Sequence, residues 1–329
     1  MGYLVEGRWT DEDPPETGQS GQFQRIASAF RGQVTADGAS GFKAEAGRYH
    51  LYVGYHCPWA HRTILYRALK GLEHAISISY CLPAFRENGW TYEQRAEYPD
   101  CTADEVNGFH YLWEAYAAAE PGYTGKVTIP VLWDKRTRTI VNNESSEIIR
   151  MLNSEFAGIA QSDADFYPTP LRAEIDALNE LIYPNVNNGV YRCGFARSQA
   201  AYEESYDALF SVLDQLEARL ETSRYLTGPV PTEADWRLFP TLVRFDVGYF
   251  SIFKCNRQQL RDFPNLWAYT RDLYSLPKVA ATVKPRLYVQ NYYSLARVNQ
   301  WGVIPKGTPV DFSAPHGRER LGYAEARAS

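Results

Sequence analysis

Apolar positions change their period along this chain, and the changes divide it. Residues 1–48 hold no period; polar residues broken by Gly, Pro and Ser read as a surface arm. Residues 49–53 form a β-branched and aromatic run that predicts a strand, and 59–70 read as a helix. Residues 75–80 alternate apolar with small polar side chains, which predicts a second strand. The connection over 81–125 is long and holds Gly89-Trp90 and a helical run near 106–118. Val131-Leu132-Trp133 reads as a buried strand, with Thr139-Ile140-Val141 as its hairpin partner across the turn at 135–138. A short helix over 145–152 completes a β-α-β, β-β-α order on one small sheet.

The period lapses over 154–169, where small and polar residues run up to Pro168 and Pro170, the pattern of a linker. Beyond it the pattern is helical. Tyr202, Tyr206, Leu209, Leu213, Leu216 and Leu220 recur at alternating fours and threes, one apolar stripe of a long helix. Thr232-Glu233-Ala234-Asp235 has the spacing of a capping box before the apolar run at 236–247. Further helices fit 264–275 and 277–283, and a Tyr-, Gly- and Pro-rich tail wraps the body. The expected class is therefore α/β plus all-α: an arm (1–48), a sheet domain (49–153), a linker (154–169), a helical domain (170–285) and a tail (286–329).

With 329 residues, 45% hydrophobic and 22% charged, the chain has ample material for two cores. A net charge of −5 argues against nucleic acid or an anionic membrane as main partner, and no run of about 18 apolar residues predicts a membrane span. Five scattered cysteines make neither a disulfide framework nor a metal-ligand set, so no metal is expected. That usage, with an acidic N-terminus unlike a signal peptide, points to the reducing cytoplasm. The 24 tyrosines and 8 tryptophans serve core packing or a pocket for a flat aromatic ligand.

Tyr55-His56-Cys57-Pro58-Trp59-Ala60-His61-Arg62 is the stretch richest in chemistry. Cys57 falls between a strand and a helix, where unpaired amide groups point their positive ends outward and favour thiolate over thiol. Pro58 suits the first helical turn. Ala60 stands where a redox Cys-x-x-Cys motif carries its second cysteine, so any disulfide chemistry needs a free small thiol to finish it. The alternative is a buried structural cysteine. Ile129-Pro130 ahead of a buried strand is either an edge proline or a cis bond that leaves the Ile129 backbone open to an extended peptide. Glu144-Ser145 opens a helix, either as a cap or as a cradle for a zwitterionic amino-acid head group.

Cys57-Pro58-Trp59-Ala60, Ile129-Pro130-Val131 and Glu144-Ser145 in a thioredoxin-like half, followed by an all-helical half, resemble the glutathione transferases. More narrowly, Asn88-Gly89-Trp90, Asn142-Asn143-Glu144-Ser145, Asn188-Gly189-Val190-Tyr191, Asp235-Trp236-Arg237 and Phe253-Lys254-Cys255-Asn256 resemble the Xi class, the glutathionyl-hydroquinone reductases. The resemblance covers residues from about 40 to 305. It implies that Cys57 is the nucleophile and that Trp90, Ile129 with Pro130, Glu144 and Ser145 hold glutathione, or an equivalent thiol, as co-substrate. It further implies that Tyr191, Tyr249 and Tyr292 line an aromatic pocket at the junction of the halves, facing Cys57, for a glutathionyl-hydroquinone. A homodimer with no bound cofactor follows the same pattern. A broader omega- or glutaredoxin-like thioltransferase and a non-catalytic assembly module are the alternatives. The chain departs from the family pattern at His56, Gln290-Asn291 and Trp301, which leaves the aromatic substrate and the small thiol open.

Overall fold

The computed structural model describes residues 2–12, 16–84, 87–307 and 309–322, and contacts divide the chain into two units. One comprises Met1–Pro15 with Arg25–Ala164, the other Glu16–Gln24 with Asp165–Ser329.

Along the first unit run β1 (Tyr3–Val5), β2 (Arg8–Thr10), β3 (Val34–Thr35), β4 (Phe42–Lys43), β5 (Tyr49–Val53), α1 (Pro58–Leu69), β6 (Ser77–Tyr80), α2 (Leu112–Ala119), β7 (Gly125–Lys126), β8 (Val131–Asp134), β9 (Thr139–Asn142) and α3 (Ser145–Ser154). The central sheet has the order β6-β5-β8-β9, with β5 parallel to β6 and antiparallel to β8. All five residues of β5 are buried because it is an inner strand, which explains its continuous rather than alternating pattern. The β8–β9 hairpin pairs Trp133 with Ile140 and Asp134 with Thr139. Asp134 closes its turn by accepting from the Arg136 N–H at 3.0 Å and the Thr137 hydroxyl at 2.7 Å, while Arg48 grips both its oxygens at 2.9 and 2.6 Å.

Three expectations change here. The second strand begins at Ser77, because the Ala75 and Ile76 N–H groups are spent on a turn to the Leu72 carbonyl. The helix expected near 106–118 begins only at Leu112. Asp104 takes the Val106, Asn107 and Phe109 N–H groups on its carboxylate at 2.9, 3.3 and 3.0 Å and holds that segment as a loop. The arm contains structure: β1 pairs with β2 and β7, Leu4 and Val34 are buried, and Arg31 forms an ion pair with Glu147 of α3.

The second unit is helical: α4 (Arg172–Ile182), α5 (Gly189–Phe195), α6 (Gln199–Thr222), α7 (Glu233–Arg244), α8 (Phe250–Ile252), α9 (Pro264–Ser275) and α10 (Pro285–Tyr293). The stripe on α6 buries Leu209, Leu213, Leu216 and Leu220. The capping box forms, with the Thr232 N–H donating to Asp235 at 2.7 Å. π-turns at Tyr183–Asn187 and Phe245–Tyr249 interrupt the α4–α5 and α7–α8 runs. The helix expected over 277–283 shrinks to a 3-10 turn at Ala280–Thr282 after Lys278, whose φ of 70° stops a regular helix. The stretch read as the start of a tail is instead α10, with Pro285 at its first position and Leu287, Tyr288, Asn291 and Tyr292 buried at helical spacing.

Candidate active site

Cys57 is the N-cap residue of α1, with extended backbone, and Pro58 occupies the first helical position. Its residue is 8% exposed, enough to be reached and too little to be freely solvated. The Sγ atom lies 3.8 Å from the Ile129 carbonyl oxygen, and the Ile129-Pro130 bond is cis. Three of the other four cysteines have thiols shifted by burial. Burial pushes the Cys101 thiol up to about 12 and the Cys81 and Cys255 thiols well above their ordinary value, which keeps them protonated and unreactive.

The segment that faces Cys57 is held by a residue the sequence reading passed over. The Tyr116 hydroxyl, from α2, donates to the Thr128 carbonyl at 2.8 Å and accepts the Thr128 N–H at 3.2 Å. The Asn143 side-chain amide donates to the same hydroxyl at 2.9 Å. One residue before Thr128, the Val127 carbonyl accepts from the Trp90 indole at 3.2 Å; one residue after it stands Ile129. Tyr116 therefore fixes the backbone that positions both Trp90 and the partner of Cys57. Trp90 is also braced from behind by the His56 ring.

Glu144 is the N-cap of α3. One of its oxygens accepts from the Ser146 N–H at 3.1 Å and the Ser146 hydroxyl at 3.0 Å, and the other from the Ser28 hydroxyl at 3.1 Å. Its neighbour Ser145 accepts from the buried Arg62 guanidinium at 3.3 Å. Arg62 and Arg25 each lie 4.7 Å from the centre of the Trp59 ring, which concentrates positive charge beside the start of α3. Cys57, Trp90, Ile129, Pro130, Glu144 and Ser145 all belong to the first unit.

Tyr191, Tyr249 and Tyr292 belong to the second. Three residues chosen from 24 tyrosines form one hydroxyl chain: Tyr249 to Tyr292 at 2.6 Å and Tyr292 to Tyr191 at 3.2 Å. Phe253 packs its ring against all three. Gly248 makes the approach of α10 feasible, since a Cβ there would sit 2.8 Å from the Tyr292 ring. Burial pushes the Tyr249 and Tyr292 phenols well above their ordinary value, so both are hydrogen-bond donors at neutral pH.

Two family models match the chain: the glutathione S-transferase N-terminal domain over residues 56–155 and the C-terminal domain over 199–272. The chain is 48% identical to the glutathionyl-hydroquinone reductase YqjG of Escherichia coli K12, across 97% of this chain and 99% of that one. It is equally close to PcpF of Sphingobium chlorophenolicum, another glutathionyl-hydroquinone reductase, across 93% and 96%. The Xi-class transferase of Natrialba magadii superposes with a TM-score of 0.91 at 45% identity, covering 98% of this chain and 97% of its own. The chain belongs to the Xi class of glutathione S-transferases.

In this Xi-class chain the fold class is as the sequence indicated, a thioredoxin-like half followed by the family's helical half. The glutathione-bound structure of YqjG superposes with a TM-score of 0.88 at 45% identity, over 96% of this chain and 99% of that one. Tyr116 and Ser28 were missed, and Arg62 and Asn143 stood inside quoted motifs without a role. Each acts through a partner distant in sequence; the Asn142-Asn143-Glu144-Ser145 run and the stretch ending at Arg62 were the signals for Asn143 and Arg62.

Proposed function

We propose that this enzyme reduces glutathionyl-hydroquinones with glutathione, giving the free hydroquinone and glutathione disulfide. The observation that carries the reading is the lone Cys57 thiol at the start of α1, set against the Ile129 carbonyl with Ala60 in place of a second cysteine. The names of the two reductases it resembles supply the substrate class.

The Cys57 thiolate attacks the tripeptide sulfur. The sulfur–sulfur bond forms as the bond from sulfur to the ring carbon breaks, and the ring takes the electron pair and a proton. A second glutathione thiolate then attacks the mixed disulfide, which frees Cys57 and releases glutathione disulfide. Trp90 takes the glycyl end of the tripeptide, Ile129 ahead of Pro130 pairs with its cysteinyl part, and Glu144 and Ser145 hold the γ-glutamyl head. Tyr191, Tyr249 and Tyr292 receive the aromatic ring and donate hydrogen bonds as charge builds on it. The reaction needs no bound cofactor, and among the described residues no cluster of three His, Cys, Asp or Glu is placed to hold a metal. The enzyme works as a homodimer in the cytoplasm; its five free cysteines suit that reducing setting, and no described helix is long and apolar enough to cross a membrane.

Mass spectrometry after one equivalent of substrate, with no added thiol, tests this directly. A single glutathione adduct on Cys57, released by added glutathione, is the expected result. Turnover without that adduct, or activity that depends on a nicotinamide, would overturn the reading. A panel of small thiols in place of glutathione decides whether the co-substrate is glutathione or an equivalent, and equal rates on simple mixed disulfides and on the hydroquinone conjugate would favour the general thioltransferase.

A further inference from the structure

Arg244, the last residue of α7, has no solvent-exposed surface. A buried guanidinium is expensive to keep, and stability alone rarely explains one. Its Nη1 donates to the Pro240 carbonyl at 2.6 Å, and its Cζ sits 3.9 Å from the centre of the Tyr288 ring. Tyr288 and Tyr292 are four residues apart on α10, hence on one face, so the guanidinium lies one turn from the middle member of the hydroxyl chain. The π-turn Phe245–Tyr249 starts at the next residue and ends on Tyr249 itself; such turns interrupt helices frequently at functional sites. The end of α7 and the π-turn that follows it thus deliver the cation and one phenol, and α10 delivers the stacking ring and the central phenol.

The chemistry of carbon–sulfur cleavage gives this placement a purpose. Breaking the bond from sulfur to the ring carbon leaves an electron pair that must become a carbon–hydrogen bond, so a proton has to be supplied. A phenol that gives it is left negative in a buried site, where uncompensated charge is costly. We propose that Arg244 is a positioning residue for this reaction: it orients the Tyr249–Tyr292–Tyr191 hydroxyl chain and carries the counter-charge when that chain gives its proton to the departing ring.

This inference rests on the proposed reductase reading and extends it. The proton passes from the hydroxyl chain to the ring carbon, and the electron pair of the broken bond stays with that carbon. The negative charge remains on the chain beside Arg244 until the thiol of the second glutathione returns a proton and attacks the mixed disulfide as thiolate. Atoms balance with the two substrates alone. The electrostatics agree with the geometry: burial pushes the Tyr249, Tyr292 and Tyr288 phenols up, and Arg244 draws all three back.

Two reactions of the same thiol separate this role from a structural one. Reduction of a glutathionyl-hydroquinone needs the proton at carbon, whereas exchange with the mixed disulfide of glutathione and 2-mercaptoethanol does not. In full-length Arg244→Gln, kcat for the hydroquinone conjugate should fall roughly 10-fold or more, below the roughly 10²–10³ lost with a donor that touches the reacting atoms because Arg244 acts through the phenols, while the exchange rate stays within about twofold. Arg244→Lys keeps the charge without the planar fork and should lower the ratio of the two rates by only about threefold. If Arg244→Gln does not fold, the Lys variant decides by that ratio. An unchanged ratio in the folded variants, or an equal fall in both reactions, would reduce Arg244 to a packing residue. Absence of exchange in the parent enzyme would overturn the Cys57 reading and this inference with it.

Discussion

The His56 imidazole stacks on the Trp90 indole, ring centres 5.1 Å apart and planes 15° from parallel. His56 precedes Cys57, and Trp90 comes from the connection between β6 and α2. The stack makes His56 a brace for the Trp90 ring, which in the proposed complex takes the glycyl end of glutathione. An aromatic pair of this kind contributes about 0.5–1.5 kcal/mol beyond its burial, or roughly 2- to 10-fold in an equilibrium. His56→Ala should weaken glutathione binding by that factor, and His56→Phe, which keeps the stack, should restore it. Calorimetric titration of both variants checks this; equal loss in both would assign His56 a role through its nitrogens instead.

Glu144 has two functions that substitutions can separate. As N-cap of α3 it accepts from the Ser146 N–H, and in the proposed complex it faces the glutathione ammonium. Glu144→Gln keeps an acceptor for the cap but removes the charge. Glutathione affinity should drop about 10- to 100-fold, as for loss of a charge-assisted hydrogen bond, with thermal stability little changed. Glu144→Ala should show the same loss of affinity plus a cap penalty of about 0.5–2 kcal/mol in denaturant unfolding.

Tyr116→Phe removes one oxygen and leaves the Thr128 backbone and the Asn143 amide without it. Unsatisfied buried groups cost about 1–3 kcal/mol, so the unfolding midpoint should fall accordingly. Because Val127 and Ile129 flank Thr128, glutathione binding should weaken as well. A stable variant with unaltered affinity would show that the strand at 131–134 fixes this segment without help from α2.

Only one of the five cysteines should matter to turnover. Cys57→Ser should abolish it, since a serine hydroxyl is scarcely ionised near neutral pH. Cys81, Cys101, Cys193 and Cys255 are buried, and alanine at each should leave Cys57 chemistry in place at some loss of stability. Alkylation rates measured by mass spectrometry should single out Cys57.

Arg48 and Asp134 form a buried bidentate pair at the β8–β9 turn. Burial alone would push the Asp134 carboxyl up, but the Arg48 fork, the Thr137 hydroxyl and the Arg136 N–H outweigh it and hold the carboxyl below its ordinary value. The native state therefore binds that proton less readily than the unfolded chain. Its contribution is complete above the ordinary carboxyl range and is lost as pH falls through the lower native value. Removing either partner strands the other charge, at about 3–5 kcal/mol. Arg48→Met should show that loss at pH 7 in urea unfolding, and the gap to the parent should narrow in acid.

What the sequence determined by itself was whatever is settled within a few residues. Cys57 before Pro58 at a strand–helix junction, the hairpin across 135–138, the Thr232 capping box and the α6 stripe all rest on near neighbours in the sequence, and all are present. The motifs around Cys57, Ile129 and Glu144 were enough to identify the family. Tertiary structure decided the rest. Residue 116 became the clamp on residue 128 because α2 packs beside that segment, and His56 met Trp90 from 34 positions along the chain. Arg244 was joined to the phenols by the return of α10, which the sequence presented as a tail. Local hydrogen bonding and periodicity are written in the order of residues; the pairing of side chains from separate elements is fixed only when the hydrophobic faces of those elements come together.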